Sequence, residues 1–165
     1  TKAPRGARYQ RTNPSTLNSF LSEANLPSEG KIADLGTGFG LPCFIFKLYF
    51  DKVFGYEGDD EIFMELKNIQ PKLGPFYSSI EFRLGDFLKK DLSQFDILYF
   101  YRPFADQFTE LMRDKLESLR KGTKVISYSL FGYPDEKKSI FLADNFREIP
   151  WDPFEYGSFR IFERL

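Results

Sequence analysis

The sequence predicts an α/β fold, a three-layer sandwich with helices on both faces of a mostly parallel sheet. Three observations carry this. Short apolar or β-branched runs alternate with segments of helical periodicity, a glycine turn or an acid closes each of the first three runs, and the last two runs follow one another with no helical pattern between them. The alternation calls for parallel strands joined by crossovers, and the final pair calls for an antiparallel sheet edge.

Each element has its own justification. Asn13 and Pro14 suit the N-cap and first position of a helix whose Leu17, Phe20, Leu21 and Ala24 share one face, and that helix ends before Pro27. "KIADLG" is a short buried strand and "LPCFIFKLYF" an apolar helix with proline in its first turn. "KVFGYE" is the second strand, followed by the helix "DDEIFMELKNIQPKL", whose three leading acids suit its N-terminal dipole. "IEFRLGD" and "FDILYFY" are the third and fourth strands. "FADQFTELMRDKLESLRKG" is an amphipathic helix with Phe108, Leu111, Met112, Lys115, Leu116 and Leu119 near one side and Gly122 closing it. "TKVISYSLF", "NFREIPW" and "SFRIFERL" complete seven strands.

Composition removes several chemistries. At 165 residues and 42% hydrophobic content the chain buries one core, so residues 1–165 are expected to form a single domain. A net charge of −1 gives no overall basic surplus for nucleic acid or an anionic membrane. The single cysteine, Cys43, forms no intramolecular disulfide, and it is expected to pack in the core. With no histidine there is no Cys/His zinc site and no Ser-His or Cys-His pair, so no metal is expected. No apolar run reaches the roughly 18 residues of a membrane span and no signal-peptide pattern opens the chain, so a cytoplasmic location without a membrane partner is expected. Residues 1–13, with Lys2, Arg5, Arg8 and Arg11 and no acid, read as a basic arm, either solvated or folded over a ligand or a phosphate-bearing partner.

The turn "DLGTGFG" is the most informative stretch. In open parallel sheets ligands bind beyond the carboxyl ends of the strands, and a glycine-rich loop after the first strand lets backbone approach them. Gly36, Gly38 and Gly40 stand there, but as G-x-G-x-G, so the third glycine of the dinucleotide fingerprint is replaced by Leu41, and no Gly-Lys-Ser/Thr follows. A nucleoside-type ligand over the loop remains, with Asp34 as acceptor for an ammonium or for loop N–H groups. Glu57, about twenty residues on, is placed to accept from two ribose hydroxyls. Asp86 closes the third strand, where a carboxylate can accept from an adenine amino group and Phe87 offers an aromatic face. The plainer reading is that each acid caps the helix that follows it.

With these residues in order, the chain resembles the class I, seven-stranded, Rossmann-like methyltransferases that use S-adenosyl-L-methionine. "IADLGTGFG" resembles their first motif, "VFGYEGD" the second, "RLGDF" the third, "FDILYFYRPF" the fourth, and "LRKGTKVI" the turn before the fifth strand. The cofactor-binding motifs span residues 31–130. The resemblance implies that Gly36, Thr37 and Gly38 lie under the cofactor, Asp34 serves the loop and the methionine amino group, Glu57 binds the ribose, and Asp86 with Phe87 frames the adenine.

The acceptor rests on the fourth motif. Enzymes of this class that methylate exocyclic amino groups of bases or glutamine amides carry an Asn-Pro-Pro-Tyr type sequence where this chain has Tyr101, Arg102, Pro103 and Phe104. "YQRTNPSTLNSFLSEA" and "ELMRDKLESLRKGTKVISYSLFGY" are similar to small single-domain protein-lysine methyltransferases of archaea and mitochondria. That likeness implies Tyr9 and Thr12 folding over the cofactor and a protein lysine as acceptor. A lysine must arrive neutral, which an aromatic, proton-poor channel favours, and Tyr101 and Phe104, with Tyr99 as a neighbour, are the candidates to line it; the plainer reading is that Tyr99 and Tyr101 are core residues of a buried strand. A methyltransferase acting on RNA or a small metabolite, and a domain that binds cofactor or partner without turnover, are the alternatives.

Overall fold

The computed structural model describes residues 12–102, 106–129, 140–141, 144–150 and 159–165. Among these, four helices and seven strands run in the order α1 (Pro14–Glu23), β1 (Lys31–Leu35), α2 (Leu41–Phe46), β2 (Lys52–Glu57), α3 (Asp60–Ile69), β3 (Glu81–Leu84), β4 (Ile97–Arg102), α4 (Asp106–Glu117), β5 (Lys124–Ser129), β6 (Phe146–Ile149) and β7 (Phe159–Arg164). The sheet order is β3-β2-β1-β4-β5-β7-β6. The first five strands are parallel, and β7 runs antiparallel to both β5 and β6. Winding reverses between β1 and β4, which opens a crevice at their carboxyl ends.

Local chemistry accounts for the element ends. The Asn13 side chain accepts from the Thr16 N–H and Pro14 opens α1, as the sequence predicts. Asp59 accepts from both Glu61 and Ile62 N–H groups at the start of α3. Pro71 lacks the N–H that would continue α3, so the chain tightens into a 3-10 turn over Gln70–Leu73. The buried Gln70 amide then donates to the Tyr77 and Ile80 carbonyls and ties that turn to the start of β3.

Four expectations are corrected: α3, expected to reach Leu73, ends at Ile69, α4, expected to be closed by Gly122, ends at Glu117, and two more concern α2 and the buried face of α4. The apolar helix after the glycine loop is expected to run on to Phe50 but ends at Phe46. Beyond it the Leu48 and Tyr49 N–H groups reach back only three residues, and the Tyr49 hydroxyl is held by Asn18 of α1, which draws the segment out of helical path. In α4 the buried face holds Thr109, Met112 and Leu116, whereas Leu111, expected on that face, is 55% exposed.

The sheet separates two cores. On one face Leu17, Phe20 and Leu21 of α1, Cys43 and Phe46 of α2 and Leu66 of α3 pack over Ile32, Ile97, Tyr99, Ile126 and Tyr128. On the other, Met112 and Leu116 of α4 join Ala33, Leu35, Leu98, Phe100, Val125 and Phe162. At the amino edge the Asp96 carboxylate accepts from the Lys31 N–H at 2.8 Å and from Arg120 at 3.0 Å, which clamps β1 to β4. In urea denaturation we expect Met112→Ala to lower the unfolding free energy by about 2–5 kcal/mol and Leu111→Ala by about 0.5 kcal/mol or less. Equal losses would mean that α4 packs through a different face.

Candidate functional site

The carboxyl ends of β1 and β2 bring the glycine loop and two acids together. Gly36, Gly38 and Gly40 have φ of 88°, 56° and 82°, a left-handed path that only glycine follows without strain. Their reasons differ. A Cβ on Gly40 would meet Leu66 at 2.6 Å and Phe82 at 3.0 Å, so this glycine lets the loop pack on the core. A Cβ on Gly36 would meet nothing within 4 Å, so its bare backbone faces open space above the loop. The loop is held from the side: the Gly36 and Thr37 N–H groups both donate to the Tyr56 carbonyl, at 2.9 and 2.8 Å.

Glu57 completes the loop. One carboxylate oxygen accepts from the Gly38 N–H at 2.7 Å and the other from the Asp59 N–H at 2.8 Å. A carboxylate has about four acceptor positions, so each oxygen keeps one for a ligand hydroxyl. Glu57 thus does not cap the following helix, a role Asp59 takes.

Asp34 lies beneath the loop, 2% exposed. Its carboxyl lies 3.9 Å from the Cys43 thiol, which also meets the Thr37 hydroxyl at 3.3 Å and the Phe54 carbonyl at 3.4 Å. Burial, opposed by the Thr37 hydrogen bond and reinforced by the charge of Glu57, pushes Asp34 up from 3.8 to about 7. Cys43 is fully buried, and burial and the Asp34 charge push its thiol well up, so it packs as a thiol and is no nucleophile.

Thr12 and Tyr99 extend this polar cluster. Tyr99 is the register partner of Asp34 and shares a 2.6 Å hydrogen bond with the buried Thr12 hydroxyl. Thr12 therefore closes the core over β4 with its hydroxyl already engaged. Burial and the nearby Asp34 push the Tyr99 phenol well up.

Asp86 caps the short turn after β3, accepting from the Leu88 N–H at 3.0 Å, while half-buried Phe87 meets Phe108 of α4 edge-on at 6.4 Å. Tyr101, half-buried near the end of β4, stacks on Tyr128 at 5.1 Å. Tyr128 is absent from the residues that the sequence singles out, and its only signal there is a tyrosine inside a strand of apolar and small residues. Tyr9 and Phe104 lie outside the described residues. A concavity of about 370 Å³ at the opposite, amino edge is lined by Pro27, Glu29, Gly30, Asp96, Ile97, Gly122 and Lys124. It lies at the wrong end of the strands for the crevice that the winding opens.

No family model matches the chain, and no curated protein matches it either. Solved structures do. A protein of Pyrococcus horikoshii OT3 is similar with a TM-score of 0.69 and 16% identity over 92% of this chain and 89% of that one. An RNA methyltransferase of Salinibacter ruber, in complex with S-adenosyl-L-homocysteine, is similar with a TM-score of 0.64 and 20% identity over 94% and 92%. The YcgJ protein of Bacillus subtilis is similar with a TM-score of 0.61 and 17% identity, and there the chain spans only 55% of its neighbour's length. The likeness is one of fold: the chain has the seven-stranded, Rossmann-like fold of class I methyltransferases.

Asp34 makes stability depend on pH. Its folded value lies above its ordinary one, so folding holds a proton that the unfolded chain releases, and stability falls as pH rises from about 4 to about 7. The shift corresponds to a cost of roughly 4 kcal/mol once both states are ionised. Denaturant melts at pH 5 and pH 8 should show Asp34→Asn losing most of that slope and exceeding the wild type in stability at pH 8. An unchanged slope would mean that another group carries it.

Proposed function

We propose that the chain is an S-adenosyl-L-methionine-dependent methyltransferase. The observation that carries this reading is the open backbone of Gly36 beside a Glu57 carboxylate already fastened to the Gly38 N–H, a shallow cradle with hydroxyl acceptors at its rim. Gly36, Thr37 and Gly38 supply the floor, Glu57 the ribose acceptor, and Asp86 with Phe87 the adenine end. Asp34 supplies a carboxylate whose burial is relieved by a cationic amino group. Methyl transfer itself needs little from the protein beyond placement and exclusion of water: the acceptor's lone pair bonds to the methyl carbon as the carbon–sulfur bond breaks, its electron pair passes to sulfur, and the acceptor sheds a proton to solvent.

The acceptor we propose is a protein lysine amine. A lysine must arrive neutral, and a half-buried aromatic wall at the end of β4 favours the uncharged amine. The absence of an Asn-Pro-Pro-Tyr type sequence at residues 101–104 supports this over a base amino group. Tyr9, Thr12 and Phe104 enter this reading through the resemblance of the flanking segments to small lysine methyltransferases. RNA is the second reading, favoured by a neighbour named as an RNA methyltransferase that matches over more than nine tenths of both chains.

Calorimetric titration with S-adenosyl-L-methionine and S-adenosyl-L-homocysteine tests the cofactor. We expect binding in the micromolar range, abolished or greatly weakened by Glu57→Ala and by Gly36→Val, and about tenfold weaker at pH 6 than at pH 8, because Asp34 must release its proton to pair with an ammonium. A folded chain that binds neither compound at millimolar concentration sinks the proposal. A labelled-methyl assay on separated protein, RNA and small-molecule fractions then assigns the acceptor, and binding without label transfer identifies a non-catalytic domain.

A further inference from the structure

Four aromatic rings cross the α1 side of the sheet and end on β4, near the carboxyl end of that strand. Phe20 of α1 stacks on Phe159 of β7 at 4.4 Å, Phe159 on Tyr128 of β5 at 4.4 Å, and Tyr128 on Tyr101 of β4 at 5.1 Å. Strand register imposes the row, since Tyr101 and Tyr128 are direct partners, as are Tyr128 and Phe159. Asp34 of β1 pairs with Tyr99, so Tyr101, two residues on, comes level with Gly36.

The chemistry of the row changes along its length. Phe20 and Phe159 are fully buried, Tyr128 is 5% exposed and Tyr101 is half-buried. Hydroxyls thus occur only in the two rings nearest the loop. Tyr128 buries its ring, while its hydroxyl is not a buried unpartnered oxygen among the described residues, so the phenol adds to the row a polar tip that phenylalanine lacks. Burial pushes both phenols up, and Tyr128 adds to the shift at Tyr101, so both stay protonated at neutral pH and serve as hydrogen-bonding groups and not as bases.

We infer that Tyr128 is a positioning residue for the methyl acceptor: its ring fixes the Tyr101 ring, and the two hydroxyls together orient a neutral amine toward the glycine loop. The inference rests on the methyltransferase reading and adds to it a residue and a selectivity. A neutral phenol oxygen accepts an N–H and leaves the amine's lone pair directed at the methyl carbon, whereas a carboxylate in the same place would favour the ammonium, which has no lone pair to give. Tyr128→Phe preserves the stack and removes one hydroxyl, which separates orientation from packing.

The experiment compares wild type, Tyr128→Phe and Tyr128→Ala by S-adenosyl-L-homocysteine calorimetry and by labelled-methyl transfer to a pool of synthetic lysine-containing peptides, with total RNA in parallel. We expect S-adenosyl-L-homocysteine affinity within about twofold of wild type in all three, kcat lowered about tenfold in Tyr128→Phe with KM for the cofactor unchanged, and a larger kcat loss in Tyr128→Ala. Unchanged kcat in Tyr128→Phe overturns the role of the hydroxyl. Transfer to RNA alone, or to neither probe, by a wild-type chain that binds S-adenosyl-L-homocysteine overturns the amine acceptor. Absence of that binding overturns the methyltransferase reading itself, so the two failures are distinct.

Discussion

The hydrogen bond from the Gly38 N–H to the Glu57 carboxylate is the contact on which the candidate site depends. A loop of alternating glycines has almost no side chains with which to hold itself, and its positive φ values leave it many other paths. Order has to come from a neighbour. The end of β2 provides it twice, through the Tyr56 carbonyl under Gly36 and Thr37 and through the Glu57 side chain under Gly38. Both grips exist because β2 pairs with β1 in parallel register, Leu35 opposite Tyr56, so the two strands end at the same height. The acid that would bind a ligand is therefore also the acid that shapes the floor beneath it.

Much of this was legible in residues that act locally. Lys52–Glu57 reads as a strand because its apolar and aromatic residues form a short run bounded by acids, and the seven-stranded mixed sheet follows from such runs and the spaces between them. Asn13 and Pro14 name their own helix start for the same reason, whereas the acids that lead α3 were legible only through its dipole, without Asp59 standing out as the cap. The end of α2 was not legible, because an apolar run continues past Phe46 and hydrophobicity alone does not separate a helix from the turns that follow it. Nor was the buried face of α4, where Thr109 and Leu111 exchange the roles that their polarity suggests. Helical periodicity defines a stripe but leaves its centre uncertain by a residue.

The polar cluster under the loop was illegible for a different reason. Thr12 and Tyr99 are 87 residues apart, and their hydrogen bond exists only once α1 has packed on the sheet. Asp34 could be named as a site acid from its place before the glycines, yet nothing in the sequence says that it is 2% exposed beside a thiol and a tyrosine. Tyr128 is a similar case: its meaning comes from Tyr101 and Phe159 on either side, which only strand order supplies.

The two faces of the sheet have different chemistry, and the alternation of β-strands is the cause. Asp34 alternates with Ala33 and Leu35, and Tyr99 and Tyr101 with Leu98 and Phe100, so one face receives the acid and the phenols while the other receives aliphatic groups and rings. The α4 face has Tyr56, whose hydroxyl is taken by Arg83 at 2.8 Å. A carboxyl held near neutrality under a glycine loop makes the fold less stable than a neutral side chain would. It sits at the end of β1 beside the point where the winding reverses, the place in open parallel sheets where ligands bind. A one-residue slip of β4 against β1 would send Tyr99 and Tyr101 to the α4 face, away from the acid and the aromatic row. The clamp of Asp96 on Lys31 and Arg120 at the opposite edge, though far from any ligand, therefore protects the register on which the site is built.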